Sequence, residues 1–351
     1  MKVNFDVLIS GCNTRCRHCY VNGGPGALMP LETALIAFEK LDAISELLPY
    51  ESSFTLDNEP MNHPDIGTII RSAAGTEHCR CFHHGMTGGI ALMRRKDRDA
   101  VMRTCLDCGF KEFGITIHGN EQHHDEIVRR QGAYKAAVGA AEFMKECGAG
   151  TGVSLMFNRF FAEDAGDIDA LLARLEPDYI YFAVPNYTPH ENMDGYEPFR
   201  GSTDTLLKIR PYLARWRQQE EELTKELCTI SRVKEQLEQG LDIGELFRSP
   251  QDELYMTVHQ DGNLFAGNTG VETECLGNVR TLDVRETAER ILAMPGNRDY
   301  GAFYDMEMLP GSAELIRALD YLPGDLLYSD MASAIYRGLA ALGVPVKILK
   351  C

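Results

Sequence analysis

The sequence predicts an α/β fold, a partial (β/α)6 barrel followed by a small α+β C-terminal extension. In roughly the first 200 residues, six short apolar runs alternate with segments whose apolar residues recur at helical spacing. The sixth run is halted by Pro185, and the later dipeptide Asp261-Gly262 is typical of a hairpin turn. Because strands that alternate with helices pair in parallel, six such units fit an open barrel.

The predicted strands are short apolar runs, and the predicted helices have one apolar face. The strands span Val7–Ser10, Ser53–Leu56, Cys79–His83, Phe113–His118, Val153–Phe157 and Tyr179–Val184. The helices span Leu31–Leu48, Ile66–Ala74, Asp97–Cys108, Ala133–Glu146 and Ile168–Leu175. Barrel sites lie at the carboxyl ends of strands, so we expect the chemistry in the loops that begin at residues 11, 57, 83, 118, 158 and 185.

The pattern changes after the sixth strand, and we expect a domain boundary near residue 200. The barrel is expected over residues 1–200, a helical connector over 201–250 and the C-terminal extension over 251–351. Residues 203–240 are helix-like and rich in Glu, Gln, Leu and Arg. Residues 253–270 alternate apolar and polar side chains, as the strands of a hairpin do.

Composition and charge exclude several classes of protein. The 351 residues are 44% hydrophobic and contain no apolar run of about 18 residues, which predicts a globular chain that spans no membrane. The formal net charge of −17 disfavours nucleic acid and anionic membranes as partners. We see no signal peptide and expect a cytoplasmic protein, in which the 11 cysteines are thiols or metal ligands rather than disulfides.

Three cysteines directly follow the first predicted strand. Cys12, Cys16 and Cys19 have the spacing C-x3-C-x2-C. Three thiolates can hold three irons of a 4Fe–4S cluster and leave the fourth iron open to an exchangeable ligand. From the residues alone, a zinc site completed by His18 is an alternative, because structural zinc takes four such ligands. Chance placement in a cysteine-rich chain is a second alternative.

With these cysteines the sequence resembles the radical S-adenosylmethionine (SAM) superfamily, over most of residues 5–200. The resemblance implies a partial (β/α)6 barrel in which Cys12, Cys16 and Cys19 bind a 4Fe–4S cluster. It also implies that SAM binds the open iron and is cleaved reductively to give a carbon radical. His18 matches the position whose backbone contacts the adenine of SAM in that family.

An acidic motif follows the second predicted strand. Asp57-Asn58-Glu59-Pro60 resembles the Gly-Gly-Glu-Pro motif that holds the SAM amino group in the superfamily, which implies SAM-binding roles for Asn58 and Glu59. Asparagine tolerates backbone angles that glycine adopts, so Asn58 can keep the turn. Asp57 adds a carboxylate, which is expected to crowd SAM or shift its pose. The alternative role of Glu59 is that of a solvated loop acid.

Later strand ends also match positions that contact SAM in the superfamily. His84 follows the third strand and is interpreted as a SAM or substrate contact, with a structural histidine as the equal alternative. Thr116 and His118 share one face of the fourth strand and match the segment beside the SAM ribose. Asn158 and Arg159 match positions that bind polar groups of SAM. A surface ion pair is the alternative for Arg159.

Further cysteines are candidates for catalysis. Cys79 and Cys81 share one face of the third strand. If that face points into the barrel, Cys81 can donate a hydrogen atom or hold a thiophilic ligand, whereas core filling is the alternative. Cys275 is a candidate to face the active site, and the terminal Cys351 is a candidate reactive thiol.

The C-terminal part resembles the twitch or SPASM extension of some radical SAM enzymes. The resemblance rests on residues 256–267 and 275–279. Such extensions usually bear auxiliary iron–sulfur clusters. Beyond residue 200 this chain has three cysteines, Cys228, Cys275 and Cys351, and a closed cubane needs four thiolates. We therefore expect the architecture of the extension without its cluster.

Two radical outcomes are open. The first is a 5′-deoxyadenosyl radical that abstracts hydrogen from a small-molecule, natural-product substrate. The second is transfer of the 3-amino-3-carboxypropyl group of SAM to trivalent arsenic, implied by a similarity of residues 1–26 and the terminal cysteine to the radical SAM enzymes of arsinothricin biosynthesis. That family has a cysteine-rich tail, where this chain has Cys351 alone.

A rival from another class is a non-catalytic zinc or iron–sulfur protein. The barrel pattern and the SAM-like loops favour the enzyme. A peptide-modifying role is disfavoured, because no leader-binding domain precedes the barrel. The expected partners are a small-molecule substrate and a reductase or flavodoxin-type electron donor, with neither nucleic acid nor membrane among them.

Overall fold

A computed structural model describes residues 2–19, 23–81, 84–189, 194–248, 253–270, 272–294 and 304–346. Its strands and helices follow one another in the alternation that the sequence predicts, and short strands recur in the C-terminal part. Within these described residues, no helix combines the length and the apolar character needed to cross a lipid bilayer.

The strands and helices are numbered in chain order. The strands are β1 Lys2–Val7, β2 Glu51–Leu56, β3 Cys79–Cys81, β4 His84–Thr87, β5 Glu112–Ile117, β6 Gly150–Met156, β7 Tyr179–Ala183, β8 Cys228–Thr229, β9 Glu253–Val258, β10 Asn263–Ala266, β11 Glu274–Asn278 and β12 Leu327–Tyr328. The α-helices are α1 Leu31–Leu47, α2 Ile66–Ala74, α3 Ile90–Arg94, α4 Arg98–Asp107, α5 Glu121–Val128, α6 Ala133–Glu146, α7 Phe161–Leu175, α8 Thr203–Leu213, α9 Glu220–Glu226, α10 Ile230–Glu238, α11 Ile243–Arg248, α12 Val284–Leu292, α13 Ser312–Leu319 and α14 Met331–Ala341. Short 3-10 turns lie at Pro60–Asn62, Glu197–Phe199 and Met306–Met308.

The barrel strands pair in parallel and in chain order. β1, β2 and β3 are neighbours in one sheet, and β4, β5, β6 and β7 are neighbours in another. β3 lies within the third predicted strand, Cys79–His83, whereas β4 begins directly after it and was not predicted. The predicted α/β fold of parallel strands and helices with a C-terminal extension is thereby confirmed, and the carboxyl ends of the strands lie at one edge.

The position predicted for the first strand is wrong. The strand is β1, Lys2–Val7, and not Val7–Ser10. Polar residues of β1 face into the barrel and alternate with its apolar residues. The continuous apolar run lies beyond the end of the strand. In that run Ile9 accepts a hydrogen bond from the backbone of Met29 at 2.9 Å and is fully buried.

The two faces of the first sheet differ in polarity. Along β1 every second side chain, Val3, Phe5 and Val7, is fully buried in the core that the sheet shares with the helices. Phe38 of α1 stacks on Phe54 of β2 with 5.1 Å between ring centres. The intervening polar side chains of β1 therefore point away from the helices, into the barrel.

The C-terminal part joins the same sheet. β9 pairs in parallel with β1, and β9, β10 and β11 form an antiparallel meander, as the turn at Asp261-Gly262 predicts. A second core packs the helices of the C-terminal part against the segment that follows β7. The region predicted as one helical connector contains α8 to α11, interrupted by β8, which pairs with β12. The domain limits themselves stay a prediction.

Candidate active site

The cysteine loop, residues 11–19, leaves the carboxyl end of β1 and is closely packed. A Cβ atom on Gly11 would lie 2.3 Å from Gly26 N and 2.7 Å from Gly24 O, so no side chain fits there. Cys12 donates its backbone N–H to Gly24 O at 2.8 Å. The side chain of Asn62 donates to Gly11 O at 2.7 Å. The start of the loop is thus held by the two segments beside it.

The end of α5 holds the far side of the cysteine loop. Arg17 donates its backbone N–H to Ile127 O at 3.0 Å. Arg130, which follows the helix, donates from its guanidinium to Asn13 O. Because both ends are anchored, the loop presents its cysteines from a fixed backbone.

The three thiols of the loop lie close together. Cys12, Cys16 and Cys19 are half-buried thiols that form no disulfide. The hydroxyl of Thr14 lies 3.2 Å from Cys12 Sγ and 3.4 Å from Cys16 Sγ, and Gly23 donates its backbone N–H to Cys19 Sγ at 3.0 Å. Burial, together with the neighbouring thiols of Cys19 and Cys12, raises the pKa of Cys16 to about 12. The thiols are therefore close enough to influence one another electrostatically.

This donor set fits an iron–sulfur cluster. Each sulfur has a hydroxyl or a backbone N–H beside it, and hydrogen bonds to sulfur are among the groups that set the potential of such clusters. In the part of the chain that the structure describes, no three His, Cys, Asp or Glu side chains are grouped around one metal ion's position. The cysteines of a cubane each bind a different iron and do not share one point.

The turn after β2 has the backbone that the sequence predicts for a Gly-Gly-Glu-Pro motif. Asn58 adopts a φ of 64°, a conformation that asparagine tolerates and most residues avoid. Its backbone N–H donates to Asp57 Oδ1 at 2.7 Å. Burial raises the pKa of Asp57, although Asn58 and the Thr269 hydroxyl both favour its charged form. Asp57 is therefore a desolvated carboxyl at the edge of the site.

Glu59 is a buried acid, not a solvated one. It is 1% exposed. Thr87 donates its hydroxyl to Glu59 Oε1 at 2.8 Å, and Gly88 donates its backbone N–H to Oε2 at 2.7 Å. Burial raises the pKa of Glu59 to about 7 in spite of these two donors. The carboxyl thus joins the ends of β2 and β4, and a cationic partner beside it would lower its pKa and favour the ionised carboxylate.

Two histidines meet where the cysteine loop passes the end of β5. The rings of His18 and His118 lie 4.5 Å apart, and those of His118 and His124 lie 5.2 Å apart. Burial lowers the pKa of His18 and of His124 to about 4, and that of His118 well below its usual value. Nδ1 of His18 and Nδ1 of His118 are both buried without a hydrogen-bond partner among the described residues.

Two orphaned ring nitrogens beside the cluster loop indicate a missing polar partner. An unpaired buried nitrogen costs free energy, and most such atoms in native structures have a partner. The adenosine part of SAM carries hydroxyls and ring nitrogens that can supply one. The arrangement supports the SAM-binding role that the resemblance implies for His18 and His118.

Thr116 lies in β5, and Asn158 follows the neighbouring strand β6. Thr116 is half-buried in β5, opposite Ser154 of β6. Asn158 is fully buried, and its amide donates to His118 O at 2.7 Å and to Met156 O at 3.0 Å. Its Oδ1 accepts the backbone N–H of Phe160 at 3.0 Å. In this structure Asn158 fixes the backbone beside His118, and its role as a SAM ligand stays a prediction.

Arg159 is exposed and makes no ion pair with the described residues. Its guanidinium lies 4.8 Å from the ring centre of Phe160 and 5.2 Å from that of Phe199. It also donates to Pro198 O at 2.9 Å. The alternative role in a surface ion pair is not what the structure shows, and SAM binding by Arg159 stays a prediction.

The third strand places Cys81 between the core on the helix side and the cavity inside the barrel, and its catalytic role stays a prediction. Cys79 is fully buried in the core that β3 shares with the helices, and Cys81 packs against that core. Burial and the thiol of Cys108 raise the pKa of Cys81 to about 12, which places it beside α4. The shared face therefore points to the helices, although Cys81 also borders the cavity inside the barrel. The side chain of His84, which begins β4, lies outside the description.

The C-terminal thiols are also placed differently from the expectation. Cys275 lies half-buried in β11 opposite Phe265, and it is disulfide-bonded, whereas we expected a free thiol. β11 and β3 are the two edges of the six-stranded sheet, so Cys275 and Cys81 cannot share one site. Cys351 lies outside the described residues.

Several groups at the site escaped the sequence analysis. Thr14, Thr87 and Gly88 contact a cysteine sulfur or Glu59, and His124 stacks near His118. The sequence alone could have indicated Thr14, because it stands between two of the proposed cluster ligands. It could not have indicated the contacts of Thr87 and Gly88, because these depend on how β4 is placed against β2.

Known proteins resemble this chain in sequence and in fold. The family described as Radical SAM superfamily matches residues 7–172. No curated protein gives a significant match. The solved structure of anSMEcpe with bound AdoMet has a TM-score of 0.54 at 12% identity, over 82% of this chain and 80% of that one.

Two further solved structures extend this likeness. The complex of anSMEcpe with AdoMet and the Cp18Cys peptide has a TM-score of 0.54 at 12% identity, over 98% of this chain and 97% of that one. SuiB of Streptococcus suis, bound to S-adenosylmethionine, has a TM-score of 0.49 at 11% identity, over 74% of this chain. The chain spans 59% of the length of SuiB.

At such low identity these structures show the fold alone. The family match covers the segment that carries the cysteine loop, Glu59 and His118. The parallel barrel, the three thiols at its carboxyl edge and the orphaned nitrogens beside them agree with that match. Residues 7–172 thus match the radical SAM superfamily, whose enzymes use a 4Fe–4S cluster and SAM, and this match supports a radical SAM enzyme with these two cofactors.

Proposed function

We propose that this radical SAM enzyme directs its carbon radical at a small, polar molecule held inside the barrel. The observation that carries the proposal is a cavity of about 550 Å³ on the inner face of β1, β2, β3 and β9. Small-molecule sites commonly have volumes of roughly 300–1,000 Å³. The cavity lies on the same strands whose carboxyl ends carry the cysteine loop and Glu59.

The lining of this barrel cavity is polar. Charged side chains of both signs border it: Lys2, Asp6, Glu51, Arg80 and Glu253. Neutral donors and acceptors lie between them, including Asn4, Ser53, Thr55 and Tyr255. Such a lining favours a substrate with several charged or hydrogen-bonding groups over an apolar one, because buried polar groups need partners.

The lining is also organised across the strands. Ser53 donates its hydroxyl to Asn4 Oδ1 at 2.7 Å, and Tyr255 donates its hydroxyl to Glu253 Oε2 at 2.5 Å. Arg80 pairs with Glu51 at 3.0 Å, where β2 begins. Side chains that are already oriented by neighbours lose less freedom when a ligand binds. The cavity is therefore a preformed site.

When bound, the cluster supplies the electron that breaks a carbon–sulfur bond of SAM. The chain's own residues bind and orient the cofactors. Cys12, Cys16 and Cys19 hold the irons, and Glu59 pairs with the SAM ammonium once its proton has left. His18 and His118 offer their free ring nitrogens to the adenosine part, in a site that excludes water from both rings.

The second outcome, transfer of the aminocarboxypropyl group to trivalent arsenic, rests on a different observation. Asp57 places a desolvated carboxyl where the superfamily has glycine, which favours a shifted pose of SAM. Arsenic(III) favours two or three thiolates. Cys81 and Cys275 lie at opposite edges of the sheet, so these two do not form one arsenic site, and the expected pair of Cys351 with either of them stays a prediction.

Identification of the nucleoside product tests the proposal. The protein is reconstituted anaerobically with iron and sulfide, reduced with dithionite and supplied with SAM. Formation of 5′-deoxyadenosine supports hydrogen abstraction, and methylthioadenosine supports aminocarboxypropyl transfer. A protein that contains iron and yields neither nucleoside contradicts both outcomes.

A cavity-filling variant tests the place of the substrate. Ser53→Phe fills the barrel cavity, whereas Thr281→Phe adds the same bulk at an exposed position. A filtrate of small metabolites, below about 1 kDa, is expected to accelerate nucleoside formation in wild type and Thr281→Phe. It is expected to have no effect on Ser53→Phe, whose unstimulated cleavage remains. Equal stimulation of all three proteins places the substrate elsewhere.

A further inference from the structure

Four arginines lie within the cysteine loop or beside it: Arg15, Arg17, Arg130 and Arg159. Within the described residues, none of them has a carboxylate oxygen within 4.0 Å, whereas Arg95 pairs with Asp97 at 2.8 Å. The chain as a whole has 52 acidic and 35 basic residues and a net charge of −17. The cluster end of the barrel is therefore a local concentration of uncompensated positive charge on an acidic protein.

Two of these arginines share one aromatic ring. The guanidinium of Arg17 lies 4.7 Å from the ring centre of Phe199, and that of Arg159 lies 5.2 Å from it. Their hydrogen bonds go to backbone carbonyls, from Arg17 to Glu126 O at 3.3 Å and from Arg159 to Pro198 O at 2.9 Å. These contacts hold the guanidinium groups in place without neutralising them.

The other two arginines flank the same loop. Arg15 stands between Thr14 and Cys16, is exposed, and lies against Gly24, where an added Cβ would be 3.3 Å from its guanidinium carbon. Arg130 reaches Asn13 O from the end of α5. All four positive charges are thus within the cysteine loop or in contact with it or its neighbours.

The acidic side chains of the adjoining helices are largely engaged elsewhere. Asp125 accepts the backbone N–H groups of Gly132 and Tyr134. Asp164 accepts from His123 at 2.8 Å, and Glu121 pairs with Lys135 at 2.8 Å. Glu126 and Glu163 are exposed acids near the edge of the group. Arg15 and Arg159 are exposed and Arg17 and Arg130 half-buried, and the described residues around them supply little compensating negative charge.

We propose that these four residues, the arginine surface, dock an acidic electron-carrier protein of flavodoxin type. The inference rests on the proposed function, because the cluster needs one electron for each cleavage of SAM. The carrier loses one electron and the cluster gains it, and no covalent bond changes in this step. Arg15 and Arg17 flank Cys16 in the cysteine loop, whose thiols are half-buried, so docking at these arginines brings the two redox centres close to each other.

Charge complementarity selects this partner. An acidic carrier is repelled by the net negative charge of the enzyme, and a positive area beside the cysteine loop directs the encounter to the cluster end. Encounter of this kind is fast at low ionic strength and slows as salt screens the charges. Dithionite is a small reductant that needs no docking surface, so it provides a reference for the same enzyme.

The test compares two sources of electrons in one protein. The probe is a bacterial flavodoxin kept reduced by NADPH and its reductase, and the reference is dithionite. The readout is the ratio of the carrier-driven to the dithionite-driven rate of nucleoside formation. Arg15→Glu/Arg17→Glu is expected to lower this ratio about tenfold at low salt. Arg103→Glu, at an exposed position of α4, is the matched control and is expected to leave the ratio unchanged.

Salt and direct binding complete the test. The wild-type ratio is expected to fall between about 50 mM and about 500 mM salt, and that of the double variant to stay flat. Surface plasmon resonance is expected to show weaker flavodoxin binding by the double variant. A ratio within about twofold of wild type overturns the docking proposal, as does a milder Arg15→Gln/Arg17→Gln variant with an unchanged ratio. Absence of nucleoside under dithionite would instead refute the proposed function, and the binding measurement then decides the docking surface by itself.

Discussion

The chain has two groups of thiols with related spacing and different surroundings. The first is the cysteine loop, with Cys12, Cys16 and Cys19, and the second lies behind the sheet, with Cys79, Cys81, Cys105 and Cys108. Cys16–Cys19 and Cys105–Cys108 have the same C-x2-C spacing. In the loop, a hydroxyl and a backbone N–H point at the sulfurs. Behind the sheet, the thiols pack among apolar side chains of the core.

The difference shows that the backbone, not the spacing, decides what a cysteine pair can do. Cys105 lies within α4, and Cys108 directly follows the helix and donates its N–H to Thr104 O at 3.0 Å. In a helix the N–H groups are used by the helix itself, so none is left for a sulfur. A loop leaves these groups free for a thiolate ligand. Substitutions in the two groups of thiols test this contrast.

Loss of one loop cysteine is expected to abolish cofactor binding. Cys16→Ala removes one of the three ligands of the proposed cluster, and we expect loss of most bound iron and of nucleoside formation. Cys105→Ala removes a thiol of the same spacing behind the sheet and is expected to retain both. Iron analysis and the absorbance of reconstituted protein measure the outcome. Iron retained by Cys16→Ala, or lost by Cys105→Ala, reverses the assignment of the two groups.

The stability of the protein is expected to fall in acid because of a buried histidine near the cysteine loop, and not because of the thiols behind the sheet. Burial lowers the pKa of His124 to about 4 from a usual 6.5, against the opposing charge of Asp125. Between pH 6.5 and 4 the unfolded chain therefore takes up a proton that the folded chain cannot. Stability is lost as pH falls through this window, by about 3 kcal/mol for this residue when the loss is complete. Burial raises the pKa of Cys105 behind the sheet to about 12, so this thiol stays neutral throughout the same window.

A substitution isolates this contribution. His124→Asn keeps an acceptor for the backbone N–H of His118 but carries no titratable ring. The free energy of unfolding of the iron-free protein is expected to fall less steeply with acid than in wild type. Urea unfolding at several pH values measures the difference, with exposed His78→Asn as the matched control. An unchanged slope in His124→Asn would remove His124 as a source of acid sensitivity.

The thiols behind the sheet are expected to matter for stability alone. Cys105 is fully buried in the core, and a serine there would bury a hydroxyl among apolar side chains. We expect Cys105→Ser to lower the free energy of unfolding by about 2 kcal/mol. Cys147→Ser, at a half-buried position, is expected to cost less than about 1 kcal/mol. Urea unfolding checks both values, and a change of iron content in either variant contradicts a purely structural role.

The barrel could be predicted because its signals are local. The helices Ile66–Ala74 and Ala133–Glu146 begin and end where the apolar periodicity places them. The first strand was misplaced because Asn4 and Asp6 interrupt its apolar residues, and a polar inner face leaves no continuous run. A barrel that encloses a polar cavity thus hides its own strands from a search for apolar runs.

The site could be predicted in part for the same reason. The loops at strand ends supplied the cysteines, Glu59 and His118, since each motif is contiguous in sequence. The contact between Thr87 and Glu59, and that between His18 and His118, join segments far apart in the chain. Such contacts depend on the register of neighbouring strands, which the apolar pattern does not encode.

The smallest predicted effect concerns the hydroxyl that touches two sulfurs. Thr14→Val removes the donor near Cys12 and Cys16 and nearly preserves the shape of the side chain. Hydrogen bonds to sulfur stabilise the extra electron of a reduced cluster. Without this hydrogen bond the reduction potential of the cluster is expected to become more negative by about 30 mV. Thr14→Ser keeps the hydroxyl and is expected to match wild type in an anaerobic redox titration. If Thr14→Val and Thr14→Ser have the same potential, the hydroxyl does not act on the cluster, and the contrast between the two groups of thiols then rests on the backbone N–H groups alone.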